Sequence, residues 1–192
     1  MSKNLEIEYK TLLTEQNYQD LLTHFNFIKD EQFTQVNHYF DTDKLELKSR
    51  GMGLRVRTLE SRAELTLKVP QPFGLLETTD NLTLEEATQV IEQEQIPDGF
   101  VKDELLKFHL KPEKLKRIGC LKTTRAEKEI SEGLLAIDES WYGNKHDYEL
   151  ELEVKNPQTG EENFNKLLAS LGIKKISSKN KVARMMEESK NK

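Results

Sequence analysis

The chain has 192 residues, with 34 acidic against 29 basic side chains, a formal net charge of -5, and 33% charged against 35% hydrophobic residues. That length suits one domain, residues 1–192, with 187–192 as a solvated tail, and the acidic balance disfavours nucleic-acid binding through counterion release. A lone Cys120 excludes an intrachain disulfide framework and a cysteine zinc site, the start of the chain lacks an apolar signal core, and no apolar run approaches the ~20 residues of a membrane-spanning helix, so a soluble cytoplasmic protein with no membrane partner is expected.

Taken in chain order, residues 5–13 (L-E-I-E-Y-K-T-L-L) alternate as a strand, and residues 14–25 follow as a helix that Thr14 can cap. A second strand is predicted over 32–41. Residues 53–59 and 63–69 flank a turn at Glu60, Ser61 and Arg62, and Pro70 and Pro72 end that hairpin. A fifth strand over 75–82 leads into a helix over 83–95. The lysine-dense tract 102–117 places Leu105, Leu106 and Phe108 at helical spacing, which predicts a packed amphipathic helix. Strands over 115–130, 134–141 and 146–154 complete a set of eight, and a last helix is predicted over 161–171, after Gly160. Strands adjacent in sequence with few crossover helices imply an antiparallel α+β fold.

The charged strand faces are selective. Glu6, Glu8 and Lys10 share one face of their strand, as do Arg55 with Arg57, Glu64 with Thr66 and Lys68, and Glu149 with Glu151 and Glu153; the opposite faces are apolar. Any one such face could be the solvent side of an ordinary strand. Rows of like charge nevertheless repel and need a reason: three carboxylates in a row suggest metal, and two arginines suggest phosphate. An eight-stranded antiparallel β-barrel with a charged lumen, its apolar outer face covered by helices, would collect every row around one cavity. Bound cations and anions would then offset the cost of enclosing charge.

The segment Glu6-Ile7-Glu8-Tyr9-Lys10 resembles the amino-terminal signature of the CYTH domain, the triphosphate tunnel metalloenzyme superfamily. The resemblance continues in order through residues 37–42 (N-H-Y-F-D-T), 54–57 (L-R-V-R), Lys68, Glu77, Arg125, residues 135–139 (L-A-I-D-E), the 149–153 row, Lys181 and Arg184. It is nearest to the small stand-alone proteins of Gram-positive bacteria and implies an eight-stranded tunnel. It also implies Glu6, Glu8, Glu149, Glu151 and Glu153 as ligands of Mg²⁺ or Mn²⁺, with two of the last three needed. Lys10, Arg55, Arg57, Lys68, Arg125, Lys181 and Arg184 are implied as triphosphate contacts, the arginines as planar forks and the lysines as point charges. Lys179 has the strand parity of Lys181 and could replace it. Glu77 and Asp138 are implied to orient basic residues or water, and with Glu6, Glu8 and Lys10 they form the implied catalytic set.

His24, His38, His109 and His146 share no ligand spacing and read as packing or surface residues; Tyr39, Phe40, Trp141 and Tyr142 read as core. The resemblance implies metal-dependent hydrolysis of inorganic triphosphate, thiamine triphosphate or a nucleoside triphosphate. Class IV-type adenylate cyclase is an alternative activity, and a non-catalytic triphosphate-binding or polyphosphate-binding module is a third reading, which the retained acidic row opposes. A monomer or homodimer is expected.

Overall fold

Two-residue alternation of apolar and charged side chains dominates the chain, and strands dominate the fold accordingly. The computed structural model describes residues 2–189. Among them are nine strands, β1 (Ser2–Glu6), β2 (Glu8–Leu13), β3 (Phe33–Thr42), β4 (Gly53–Thr58), β5 (Ala63–Pro70), β6 (Leu75–Leu82), β7 (Leu115–Ile130), β8 (Gly133–Tyr142) and β9 (Lys145–Glu153). Six helices accompany them among the described residues: α1 (Glu15–His24), α2 (Glu46–Ser49), α3 (Leu84–Gln93), α4 (Phe100–Lys107), α5 (Pro157–Ser170) and α6 (Lys181–Ser189). The class is α+β with antiparallel pairing, as expected. The predicted first strand is two strands, divided at the buried Ile7, whose carbonyl accepts a hydrogen bond from Val154 N at 2.8 Å. That division makes the strand count nine instead of eight.

The chain packs as two compact units. The first takes β1 up to Leu5 together with Gln35–Leu121, and its strands run in the order β1-β6-β5-β4-β3. Its apolar strand face supplies Leu54, Val56, Leu65, Leu67 and Val69 to a core closed by Ala87 and Val90 of α3 and by Val101 and Leu105 of α4. Both helices start on side-chain caps. Thr83 Oγ1 accepts from Glu86 N at 3.1 Å and Glu86 Oε2 from Thr83 N at 2.7 Å, while Asp80 Oδ2 accepts from Val101 N at 2.8 Å.

The second unit takes Glu6–Thr34 with the described residues from Lys122 onward, in the order β7-β8-β9-β2. Its core joins Ile7, Leu135, Ile137, Leu150 and Leu152 to Leu21 of α1 and to Phe164, Leu167 and Leu168 of α5. Thr14 caps α1 by accepting from Asn17 N at 3.1 Å.

Three predicted boundaries are corrected. The helix expected over 102–117 stops at Lys107, because His109 adopts a positive φ of 58° and Pro112 cannot continue an α-helix; Leu115 already belongs to β7. The last predicted helix begins at Pro157, capped by Asn156, and Gly160 lies within it. A Cβ at Gly160 would stand 2.6 Å from Val154 Cγ2 and 2.7 Å from Tyr9 Cε2, so glycine permits the close approach of α5 to the sheet. Lys181 lies on α6 and not on a strand; Asn180 Oδ1 caps that helix at Ala183 N, 2.9 Å away. Glu187, Glu188 and Ser189, expected in the tail, are helical, and residues 190–192 lie outside the described ones.

Candidate active site

In the first unit, strand register sets the charged side chains on one face. Arg57 of β4 pairs with Asn37 of β3 and Glu64 of β5, Arg55 with Tyr39 and Thr66, and Lys68 with Gly53 and Glu77. Asn37 Oδ1 accepts from Arg57 Nε at 2.9 Å, Arg57 lies 3.3 Å from Glu64, and Lys68 Nζ lies 2.6 Å from Glu77 Oε1. Arg55 is held more loosely. Its terminal nitrogen is 3.8 Å from Glu64 and 3.9 Å from Glu77, and its buried Nε has no hydrogen-bond partner among the described residues. Burial pushes the Glu77 carboxyl up, but Lys68 and then Arg55 outweigh it and hold the group below the usual range. Gly53 leaves open space beside Lys68, since a Cβ there would meet nothing within 4 Å.

In the second unit the same alternation gathers acids. Arg125 of β7 pairs with Asp138 of β8, Asp138 with Glu149 of β9, and Lys10 of β2 with Glu151 of β9. Arg125 forks onto Asp138 with Nε to Oδ1 at 2.7 Å and Nη2 to Oδ2 at 2.6 Å, and its Nη2 also donates to Glu151 Oε2. Lys10 Nζ donates to Glu8 Oε1 at 2.7 Å. From α6, Lys181 Nζ stands 2.8 Å from Asp138 Oδ2 and 2.6 Å from Glu149 Oε2 and donates to Glu151 Oε1. Arg184, one turn along, lies 3.1 Å from Glu149 Oε1 and 3.1 Å from Asp147 Oδ2.

These contacts fix the protonation of the cluster. Burial raises the Glu151 and Asp138 carboxyls, but Lys181 then Arg125 hold Glu151 well below its usual range, and Arg125 then Lys181 lower Asp138. Lys181 is raised well above an ordinary ammonium, because Asp138, Glu151 and Glu149 outweigh its burial. Glu8 differs: burial first, then Glu151, raises its pKa, and Lys10 only partly opposes them.

The structure therefore groups Arg55, Arg57, Lys68 and Glu77 in one unit, and Glu8, Lys10, Arg125, Asp138, Glu149, Glu151, Lys181 and Arg184 in the other. Glu6 ends β1 and its charge adds to the rise at Glu8. Glu149 and Glu151 are 0% and 6% exposed, whereas Glu153 is exposed on the last residue of β9. Lys179 is also exposed, and its ammonium donates to Glu187. The four histidines take no part in either cluster among the described contacts; His146 stacks on Trp141 and meets Glu139 at 2.7 Å. Phe40 is core, while Tyr142 is buried but donates its hydroxyl to Asp147.

Asp147, Ser178 and Asn37 were not singled out from the sequence as site residues. Ser178 Oγ donates to Glu149 Oε1 at 2.9 Å. Asp147 has the strand parity of Glu149, and that was its available signal; Ser178 had none.

Among the described residues, no three His, Cys, Asp or Glu side chains are spaced as a ready-made metal cage. Carboxylate oxygens are still the right donors for a hard divalent ion, and Asp138, Glu149 and Glu151 already converge on one cationic atom, the Lys181 ammonium. The donor set fits such an ion.

Comparison with known proteins gives concordant results. The CYTH domain matches residues 4–186. YjbK of Bacillus subtilis, provisionally named a triphosphatase, is 38% identical over 188 residues, which is 98% of this chain and 97% of that protein. A Bacillus halodurans crystal structure provisionally named an adenylate cyclase superimposes with a TM-score of 0.91 at 36% identity, covering 96% of this chain and 98% of that one. Hippeastrum HpAC1, described as having a dominant triphosphatase activity, shares the fold with a TM-score of 0.80 at 22% identity, over 95% of this chain and 96% of that one. No helix among the described residues is long and apolar enough to cross a membrane.

Proposed function

The chain belongs to the CYTH family, and from that premise we propose that it is an enzyme that hydrolyses a triphosphate with Mg²⁺ or Mn²⁺. The observation that carries this reading is Arg55, a half-buried guanidinium whose buried Nε is unpartnered among the described residues and whose carboxylate neighbours stand 3.8 and 3.9 Å away. A planar fork left with spare donors suits a phosphate group. The naming of YjbK as a triphosphatase supports the same reaction.

Arg55, Arg57 and Lys68 would bind phosphate oxygens and stabilise the charge that spreads over them during transfer. Glu77, in contact with Lys68 and Arg55, would act as a positioning residue for both. Lys10, Arg125, Lys181 and Arg184 are the further basic contacts, with Asp138 orienting Arg125 through its bidentate bond. Glu6, Glu8, Glu149 and Glu151 would hold the metal, in preference to the exposed Glu153. A bound divalent ion supplies Lewis-acid polarisation and charge neutralisation.

A substrate panel of inorganic triphosphate, thiamine triphosphate and ATP with Mg²⁺ or Mn²⁺, resolving phosphate, pyrophosphate and cyclic AMP, tests the proposal. Metal-dependent release of phosphate from at least one substrate is the expected result. Cyclic AMP with pyrophosphate from ATP would move the assignment to adenylate cyclase, the name carried by the Bacillus halodurans relative. Binding without any turnover would make the chain a triphosphate-binding module.

A further inference from the structure

Lys181 is the first residue of α6, and its ammonium meets three carboxylates at once: Asp138 at 2.8 Å, Glu149 at 2.6 Å and Glu151. An ammonium has three N–H donors and no more. One of those donors bonds Glu151, and the carboxylates of Asp138 and Glu149 stand at ion-pair distance, so in this arrangement the ammonium is the counter-charge of all three. While it stays there, its charge is directed at the acidic cluster and away from a triphosphate.

We propose that Lys181 is the resident counter-cation of the acidic cluster, and that a divalent ion exchanges with its ammonium, releasing Lys181 to serve as a phosphate ligand. The proposal rests on the metal-dependent reading above and adds an order of events to it. Metal binding comes first and arms the lysine.

Three features make the exchange physically reasonable. A divalent ion supplies at least the charge that the departing ammonium removes, so the hard carboxylate oxygens keep a cation among them. Helix α6 need not undock, since Met185 and Met186 are buried at 3% and 9% exposure and Arg184 keeps its own contacts with Glu149, Asp147 and the Lys179 carbonyl, the last at 2.6 Å. The lysine sits at the start of the helix, so its flexible four-carbon stem can swing without breaking an internal helical turn.

The test is Mn²⁺ affinity, read by electron paramagnetic resonance without any triphosphate, in the parent protein and in Lys181→Gln, Lys181→Arg and Lys179→Gln. Removing a competing unit charge at contact distance should tighten Mn²⁺ binding by roughly tenfold or more in Lys181→Gln. Lys181→Arg, which keeps the charge, should bind no more tightly than the parent. Lys179→Gln makes the same change in net charge on an exposed lysine paired with Glu187 and should leave the affinity unchanged.

A Lys181→Gln protein with parental or weaker Mn²⁺ affinity would overturn the proposal, and so would an equal gain in Lys179→Gln. If Lys181→Gln folds only with Mn²⁺ present, by circular dichroism, the ion has taken the place of the ammonium and the proposal is supported; failure to fold even at saturating Mn²⁺ contradicts it. Because no turnover is measured, a chain that hydrolyses no triphosphate would sink the proposed function without deciding this result.

Discussion

The charged faces of the two units are built from the same period-two alternation but balanced in opposite ways. In the first unit the face has Arg55, Arg57 and Lys68 against Glu64 and Glu77, and its guanidinium contacts with carboxylates are loose, from 3.3 to 3.9 Å. In the second, Glu6, Glu8, Asp138, Asp147, Glu149 and Glu151 outnumber Lys10, Arg125, Lys181 and Arg184, and the contacts are close. The loosely held Arg55, with a donor to spare, suits an incoming anion. The three buried acids, Asp138, Glu149 and Glu151, need a cation among them, which Lys181 supplies here. On the proposed function, Arg55, Arg57 and Lys68 would bind phosphate with Lys10, Arg125, Lys181 and Arg184 as further contacts, and the carboxylates of the second unit would hold the cation.

The largest expected effect comes from the acidic side. Glu151→Gln keeps the side-chain shape but removes a buried charge that meets Lys181 and Arg125, so metal-dependent turnover should fall by about a hundredfold or more, by analogy with loss of a transition-state electrostatic contact. Steady-state kinetics at saturating Mg²⁺ checks it; turnover within a few-fold of the parent would remove Glu151 from the metal set. Next, Arg55→Lys replaces a planar fork by a point charge, and kcat/KM should drop by about tenfold to a hundredfold. An unchanged kcat/KM would mean that the spare donors of Arg55 are not used.

Stability separates the units by a different route. Leu65 is fully buried in the core of the first unit, and Leu65→Ala should cost about 2–5 kcal/mol in denaturant unfolding. The smallest effect is an acid one. Glu77 has a folded pKa below its ordinary value of 4.5, because Lys68 and Arg55 outweigh burial. Its contribution to stability is therefore complete above pH 4.5 and is lost as pH falls through the lower folded value. The stability gap between parent and Glu77→Gln should be widest near neutral pH and narrow below pH 4.5; a gap that widened in acid would reverse the sign assigned to Glu77.

Much of this contrast was legible in the sequence, because a strand places every second residue on one face irrespective of distant packing. Arg55 with Arg57, Glu64 with Lys68, and Glu149 with Glu151 could be read that way, and the register brings each row together. Glu153 follows the same alternation but ends its strand exposed, which alternation cannot reveal. The split of the first strand at Ile7 was equally hidden, since both halves keep the pattern while pairing with different neighbours. Strand parity relates Lys179 to Lys181, yet Lys181 opens a helix; the signals for that helix are Asn180 as a cap, followed by Val182, Met185 and Met186 at helical spacing. Over 102–117, lysine content and three apolar positions suit one long helix, but Pro112 is a local helix breaker.

The assignment of Arg55 to phosphate and of Glu8 to metal is tested most directly by calorimetric titration of a nonhydrolysable triphosphate in excess chelator, comparing parent, Arg55→Ala and Glu8→Gln. With metal removed, only the basic groups contribute to binding. Arg55→Ala should bind the analogue about tenfold or more weakly, the scale of a lost charge-assisted contact. Glu8→Gln should bind at least as tightly as the parent, because it removes a negative charge and leaves the first unit intact. An Arg55→Ala protein that binds like the parent, or a Glu8→Gln protein that loses as much affinity as Arg55→Ala, would contradict the assignment of Arg55 to phosphate and of Glu8 to the metal.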